Sequence, residues 1–179
     1  MQNIRIKLIE NKKNIALIGM PAVGKSTVGV LLAKKIGFDF MDTDIIIQAK
    51  EQKTLAQIIA SQGMDRFLEI EKQHLVEIDC TSHVIATGGS VIYKDEAMDH
   101  LAKTCAKVYL SVDLDILKTR LSDVITRGVA IAPGKSIDDL YAERTPLYAA
   151  RADLTIHCSR MAPEQVASAV VQSLPGLSG

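Results

Sequence analysis

One stretch constrains this chain more than any other. Gly19-Met20-Pro21-Ala22-Val23-Gly24-Lys25-Ser26-Thr27 fits G-x-x-x-x-G-K-[ST] and sits between a strand pattern and a helix pattern. The strand is the apolar run Ile15–Ile18, and the helix carries Val28, Leu31, Leu32 and Ile36 on one face with Gly37 as its stop. In that order, backbone N–H groups and a helix N-terminus converge on an anion, and the glycines let the chain wrap it closely. Lys25 is then placed to reach the β- and γ-phosphates, and the Ser26 hydroxyl to bind Mg²⁺. Gly19, Ala22, Val23, Gly24, Lys25, Ser26 and Thr27 are the candidate residues for a nucleoside triphosphate.

The rest of the chain alternates strand and helix patterns without repeats. Short apolar strands are predicted at Phe38–Met41, Val84–Thr87, Lys107–Ser111 and Leu154–His157. Thr54 with Gln57 makes a capping-box pair that opens a helix to about Ser61, with Gly63 as its stop, and a longer helix follows from Met64 to Cys80. Further helices are predicted near Lys94–Ala102, Leu114–Ser122, Ser136–Tyr148 and Pro163–Ser173. Five such strands separated by helices imply an α/β fold, a parallel sheet covered on both faces, with ligands at the carboxyl ends of the strands. Residues 15–174 form the expected single domain, with 1–14 as an N-terminal extension and 175–179 as a tail. Ile4–Ile9 alternates apolar and polar, and reads equally as an edge strand or an ordered tail. The glycine- and proline-punctuated segment 122–136 lacks a clear period, as expected of a mobile lid.

Charge narrows the partners. With 21 basic and 21 acidic residues and no charge block, the chain shows no nucleic-acid stripe and no attraction to an anionic membrane, so a small-molecule substrate is expected; a monomer is the separate expectation. No apolar run approaches a membrane span of about 20 residues, and the polar N-terminus does not read as a signal peptide. Cys80, Cys105 and Cys158 are widely spaced without a C-x-x-C pair, which points to reduced thiols in the cytoplasm. The four histidines, His74, His83, His100 and His157, have no metal-ligand spacing.

A second constellation is acidic. Phe40-Met41-Asp42-Thr43-Asp44 ends the second strand, and carboxylates at i and i+2 there point the same way. Beside a triphosphate, Asp42 suits Mg²⁺ held through its water shell. Asp44, deeper in the cleft, suits taking a proton from an attacking hydroxyl.

The glycine loop, Phe40–Asp44, Thr87-Gly88-Gly89 and Arg144-Thr145-Pro146-Leu147-Tyr148 together resemble the shikimate kinase family, in order and in spacing, over nearly all of the chain beyond Asn14. The resemblance implies a three-layer P-loop NTPase of the nucleoside-monophosphate-kinase type, which transfers the γ-phosphoryl of ATP to the 3-hydroxyl of shikimate. It implies that Lys25, Asp44 and Arg127 are catalytic, Arg127 being the lid arginine that closes on the transferring phosphate. It implies that Arg120 lies against the adenine, that Gly88 and Gly89 offer backbone N–H groups to the substrate, and that Arg144 pairs with the substrate carboxylate. Asp42 would lie in the outer sphere of Mg²⁺.

Three positions depart from the family pattern. An arginine that grips the shikimate carboxylate is implied directly after a phenylalanine, but Phe67 is followed here by Leu68. Arg66 lies two residues before Leu68, about 200° round a helix, and would point elsewhere. Glu71 does fit a family carboxylate. Ser90 stands where a third glycine is usual, and Gly128 follows Arg127 where proline is typical. The acceptor is thus shikimate with a remodelled carboxylate grip, or another hydroxylated metabolite such as a sugar acid or an amino alcohol. A nucleoside-monophosphate kinase is a weaker alternative, because Arg127 is the only arginine between Ser122 and Ser136. A non-catalytic nucleotide-binding module is weaker still, because Lys25, Asp42, Asp44 and Arg127 are all retained.

Overall fold

Every residue of the strand Asn14–Ile18 (β1) is buried, and so are the first six residues of Cys105–Ser111 (β4). Successive side chains of a strand point to opposite faces of its sheet. A sheet buried at consecutive positions is therefore covered on both faces, which requires a helical layer on each side. The computed structural model, which describes residues 12–125 and 135–174, has that form.

Its five strands are all parallel, in the order β2-β3-β1-β4-β5, where β2 is Asp39–Asp42, β3 His83–Ala86 and β5 Leu154–His157. Register runs Leu17 against Ala86 on one side and against Val108 on the other. The first crossover leaves β1 toward β2, whereas β4 and β5 build outward on the opposite side of β1. The carboxyl end of β1 is thus a switch point in strand order, where a crevice opens in doubly wound sheets.

The helices are Lys25–Ile36 (α1), Thr43–Glu51 (α2), Leu55–Val76 (α3), Asp95–Thr104 (α4), Leu114–Ile125 (α5), Ile137–Arg151 (α6) and Pro163–Ser173 (α7). None of the described helices is long and apolar enough to cross a membrane. Strand β5 and helix α7 match their predicted bounds, and most other ends shift by one to four residues. Helix α2 was not foreseen. Asp42 caps it, accepting the Asp44 N–H at 3.0 Å, and so converts the predicted strand-end turn into a first helical turn. The two predicted helices around Gly63 run on as α3 across a kink, where Gly63 leaves helical geometry at φ 82°. The reciprocal capping box of Thr54 and Gln57 opens α3 as the sequence indicates.

Two apolar clusters result. The larger fills the sheet and its helices around Leu17, Ile18, Leu32, Met98 and Leu110. The smaller joins α2 to α3 through Ile47, Ile58, Phe67 and Ile70, with Leu55, Ile59, Met64 and Leu68 packed against it. Segment Ile4–Ile9 and most of the predicted lid, including Arg127, lie outside the described residues.

Candidate active site

The glycine loop turns out of β1 with backbone angles that its sequence permits. Gly19 has φ 144°, and a Cβ there would stand 2.6 Å from the Leu110 carbonyl, so both conformation and space require glycine. At the loop's end Lys25, the first residue of α1, is only 9% exposed, and its Nζ donates to the carbonyls of Gly19 and Met20 at 2.8 Å each. Burial pulls its pKa down to about 8, against the opposing pull of Asp44 and Asp42. The next residue, Ser26, donates from Oγ to Asp42 Oδ2 at 2.6 Å. The oxygen donors of one hydroxyl and one carboxylate thus meet at the helix N-terminus.

Asp42 and Asp44 face one cleft of about 780 Å³ together with Lys25, Ser26, Arg120 and Arg144. The expectation that both acids sit at a strand end is corrected: Asp44 belongs to the first turn of α2, because Asp42 caps that helix. Burial raises the pKa of Asp44, followed in weight by Lys25, which lowers it, and Asp42, which raises it. A carboxylate poised above its ordinary range makes a better proton acceptor near neutral pH.

The loop after β3 forms the opposite wall. Thr87 Oγ1 donates to the Leu17 carbonyl at 3.0 Å, which fixes this loop to β1. The Gly88 N–H donates to Thr43 Oγ1 at 3.1 Å, and both Gly88 and Gly89 line the cleft. A Cβ on Gly88 would fall 1.9 Å from Glu71 Oε1 and 3.0 Å from Asp44 Oδ1, so a side chain there would have to displace both carboxyls. Tyr148, fully buried and stacked on Tyr109 at 5.2 Å, donates its hydroxyl to the Gly89 carbonyl. Tyr141 donates to the Val112 carbonyl at 2.9 Å.

Arg144 approaches from α6 and is 6% exposed. Its Nε donates to the Tyr93 hydroxyl at 3.0 Å, and its guanidinium stands 5.1 Å from the centre of the Tyr93 ring. Tyr93 thereby fixes the arginine's direction. Sequence reasoning missed it, since a lone tyrosine after a glycine loop carries no signal. Arg120 donates to the Val23 carbonyl at 3.1 Å and so lies along the glycine loop.

Glu71 on α3 is 1% exposed and accepts from Ser90 Oγ through Oε2 at 2.6 Å. Burial raises its pKa to about 7, partly offset by the Ser90 hydrogen bond. Ser90 has φ −93° and ψ −5°, outside the left-handed region, so its backbone does not demand the glycine usual there. Leu68 does not line the cleft; it packs in the smaller apolar cluster, and Arg66 is exposed.

Comparison with known proteins bears on this geometry. The family model described as "Shikimate kinase" matches residues 21–175. The shikimate kinase of Thermodesulfovibrio yellowstonii is 36% identical over 169 residues, covering 93% of this chain and 97% of the relative. That of a Nostoc species is 37% identical over 168 residues and covers 92% of each. Among solved structures, shikimate kinase from Acinetobacter baumannii in complex with shikimate superposes with a TM-score of 0.84 at 29% identity, over 94% of this chain and 96% of that one. The parallel five-stranded sheet, the glycine loop at its switch point and these matches along the chain agree, and the chain belongs to the shikimate kinase family, whose members are phosphotransferases acting on a hydroxyl group.

Proposed function

We propose that this protein transfers the γ-phosphoryl group of MgATP to the 3-hydroxyl of shikimate, giving shikimate 3-phosphate and ADP. The observation that carries the reading is the meeting of Lys25, the Ser26–Asp42 pair, Asp44 and Arg144 around one cleft. Phosphoryl transfer asks a protein mainly for positioning and for positive charge around the equatorial oxygens, and each of these groups suits one part of that task.

The glycine loop and the N-terminus of α1 suit a triphosphate, with Arg120 alongside the loop. Lys25 exchanges its two loop carbonyls for phosphate oxygens and brings positive charge to the β- and γ-phosphates. Ser26 and Asp42 fit Mg²⁺, which takes oxygen donors, retains several waters and binds few carboxylates. When bound, Mg²⁺ neutralises the charge shared by the β- and γ-phosphates. The acceptor hydroxyl oxygen bonds to the γ-phosphorus as the bond to the β,γ-bridging oxygen breaks, and the hydroxyl proton passes to Asp44. Arg144, directed by Tyr93, suits a carboxylate because its planar fork meets both oxygens. With Leu68 outside the cleft, the acceptor carboxylate rests on Arg144 without a second arginine from α3. The three free thiols suit a reducing compartment, and the reading is of a cytoplasmic monomer.

The test is ADP release by the purified protein with MgATP, with and without shikimate. Shikimate-dependent turnover with a KM within about 1 μM–1 mM is the expected result. Binding of ATP without shikimate-dependent turnover would move the assignment to another hydroxylated metabolite.

A further inference from the structure

Among the described residues, Glu71 is the one acid lining the cleft whose chemistry the transfer does not use. Its carboxyl is buried, Oε2 is held by Ser90, and Oε1 has no hydrogen-bond partner among the described residues. Oε1 stands against Gly88, at 1.9 Å from where a Cβ would be, while Arg144 Nη1 stands 3.3 Å from the corresponding point on Gly89. The arginine assigned to the acceptor carboxylate and the orphaned carboxyl oxygen therefore flank successive residues of one loop.

Resting on the reading of shikimate as the acceptor, we propose that Glu71, held by Ser90, is a proton-linked specificity residue: it is neutral whenever the acceptor carboxylate occupies Arg144, so that binding takes up one proton from solvent at Glu71. A second carboxylate on Arg144 disfavours an ionised Glu71, whose own carboxyl is buried and has one unpartnered oxygen. Among the described residues, the groups facing Glu71 are Ser90 in the loop after β3, Asp44 on α2, Lys25 on α1, and Arg144 and Tyr148 on α6. Of these, Ser90 through its hydrogen bond, Arg144 and Lys25 favour the ionised form, and Asp44 opposes it. An acceptor carboxylate engages Arg144 and adds a negative charge, so it pushes Glu71 further toward the acid. The pair thus ties acceptor affinity to pH, and it favours an anionic acceptor only where Glu71 can hold its proton.

The consequence is measurable. Burial already raises the Glu71 pKa to about 7, so binding restricted to the neutral form makes the KM for shikimate rise about tenfold from pH 6 to pH 8. Calorimetric titration with shikimate at pH 8, in buffers of different ionisation enthalpy, should show uptake approaching one proton. Lys25 titrates near the same range, and the Glu71→Gln variant separates the two, since it removes the share of Glu71 alone. In Glu71→Gln the rise in KM and the matching uptake should disappear. Ser90→Ala, which removes the hydrogen bond favouring the anion, should move the midpoint of the KM profile upward, and it carries the test if Glu71→Gln does not fold. Shikimate binding with a flat profile and no uptake overturns the role of Glu71 while leaving the acceptor intact. So does a profile that persists unchanged in Glu71→Gln. Absence of shikimate binding and turnover throughout pH 6–8 overturns the acceptor assignment, and this proposal with it.

Discussion

Ser26 Oγ donates to Asp42 Oδ2 at 2.6 Å, although the strands that lead to these residues are separated by β3. The contact ties the start of α1 to the end of β2 across the mouth of the cleft. Asp42 also caps α2 through its other oxygen. Asp42→Asn keeps a side-chain oxygen for the cap and removes the charge. It should raise the Mg²⁺ concentration for half-maximal rate by about 10–100-fold, the usual cost of losing an outer-sphere partner, with little change in melting temperature. A Mg²⁺ titration at fixed ATP measures the first effect and thermal unfolding the second.

Lys25 is buried with a lowered pKa, so the folded state binds fewer protons than the unfolded chain between about pH 8 and the ordinary lysine value of 10.5. Stability therefore rises with pH through that window. Lys25→Met should remove this slope, leave the apo protein at least as stable at pH 7, and lower kcat by on the order of 10²–10³-fold, the cost of one preorganised charge contact. Melting curves from pH 7 to pH 10, together with kcat, test both halves of the expectation.

Arg144 carries the acceptor carboxylate alone in this reading, with its direction set by Tyr93. Truncating one partner of a buried charge pair costs about 2–5 kcal/mol, which makes the shikimate KM at least about thirtyfold higher in Arg144→Ala. Tyr93→Phe should give a smaller rise in the same parameter, because the ring remains while the hydroxyl is lost. Steady-state kinetics at saturating ATP distinguish these from a loss of kcat.

A side chain at Gly88 would have to displace two carboxyl groups. A Cβ would meet Glu71 Oε1 at 1.9 Å and Asp44 Oδ1 at 3.0 Å. Gly88→Ala should therefore destabilise the protein by about 1–3 kcal/mol, as overpacking does, and should raise the shikimate KM by displacing both acids. An unchanged melting temperature and KM would show that the loop relaxes freely.

The phosphate half of the site is legible in the sequence because it is contiguous. Gly19 through Thr27 run from one loop after a strand into the first turn of one helix, so local rules suffice to place them. The acidic pair was legible as residues, but its setting was not. Whether Asp42 ends a strand or caps a helix depends on α2 docking through Ile47 against Ile58 and Phe67 on α3. Leu68 illustrates the same limit. Sequence shows that it is no arginine, and only the packing shows that it serves the smaller apolar cluster instead of the cleft.

What the sequence determined by itself is what repeats or adjoins along the chain: strand and helix periodicity, the capping box of Thr54 with Gln57, and the anion-binding turn. Tertiary structure alone decided the contacts of Arg144 with Tyr93, Gly88 with Thr43, Tyr148 with Gly89 and Glu71 with Ser90. Those pairs lie 19 to 59 residues apart. Periodicity records which face of an element is apolar, but not the register in which two elements meet. It also carries no measure of how much water a carboxyl or an ammonium loses when they do, and that desolvation is what moves Lys25 and Glu71 toward neutrality.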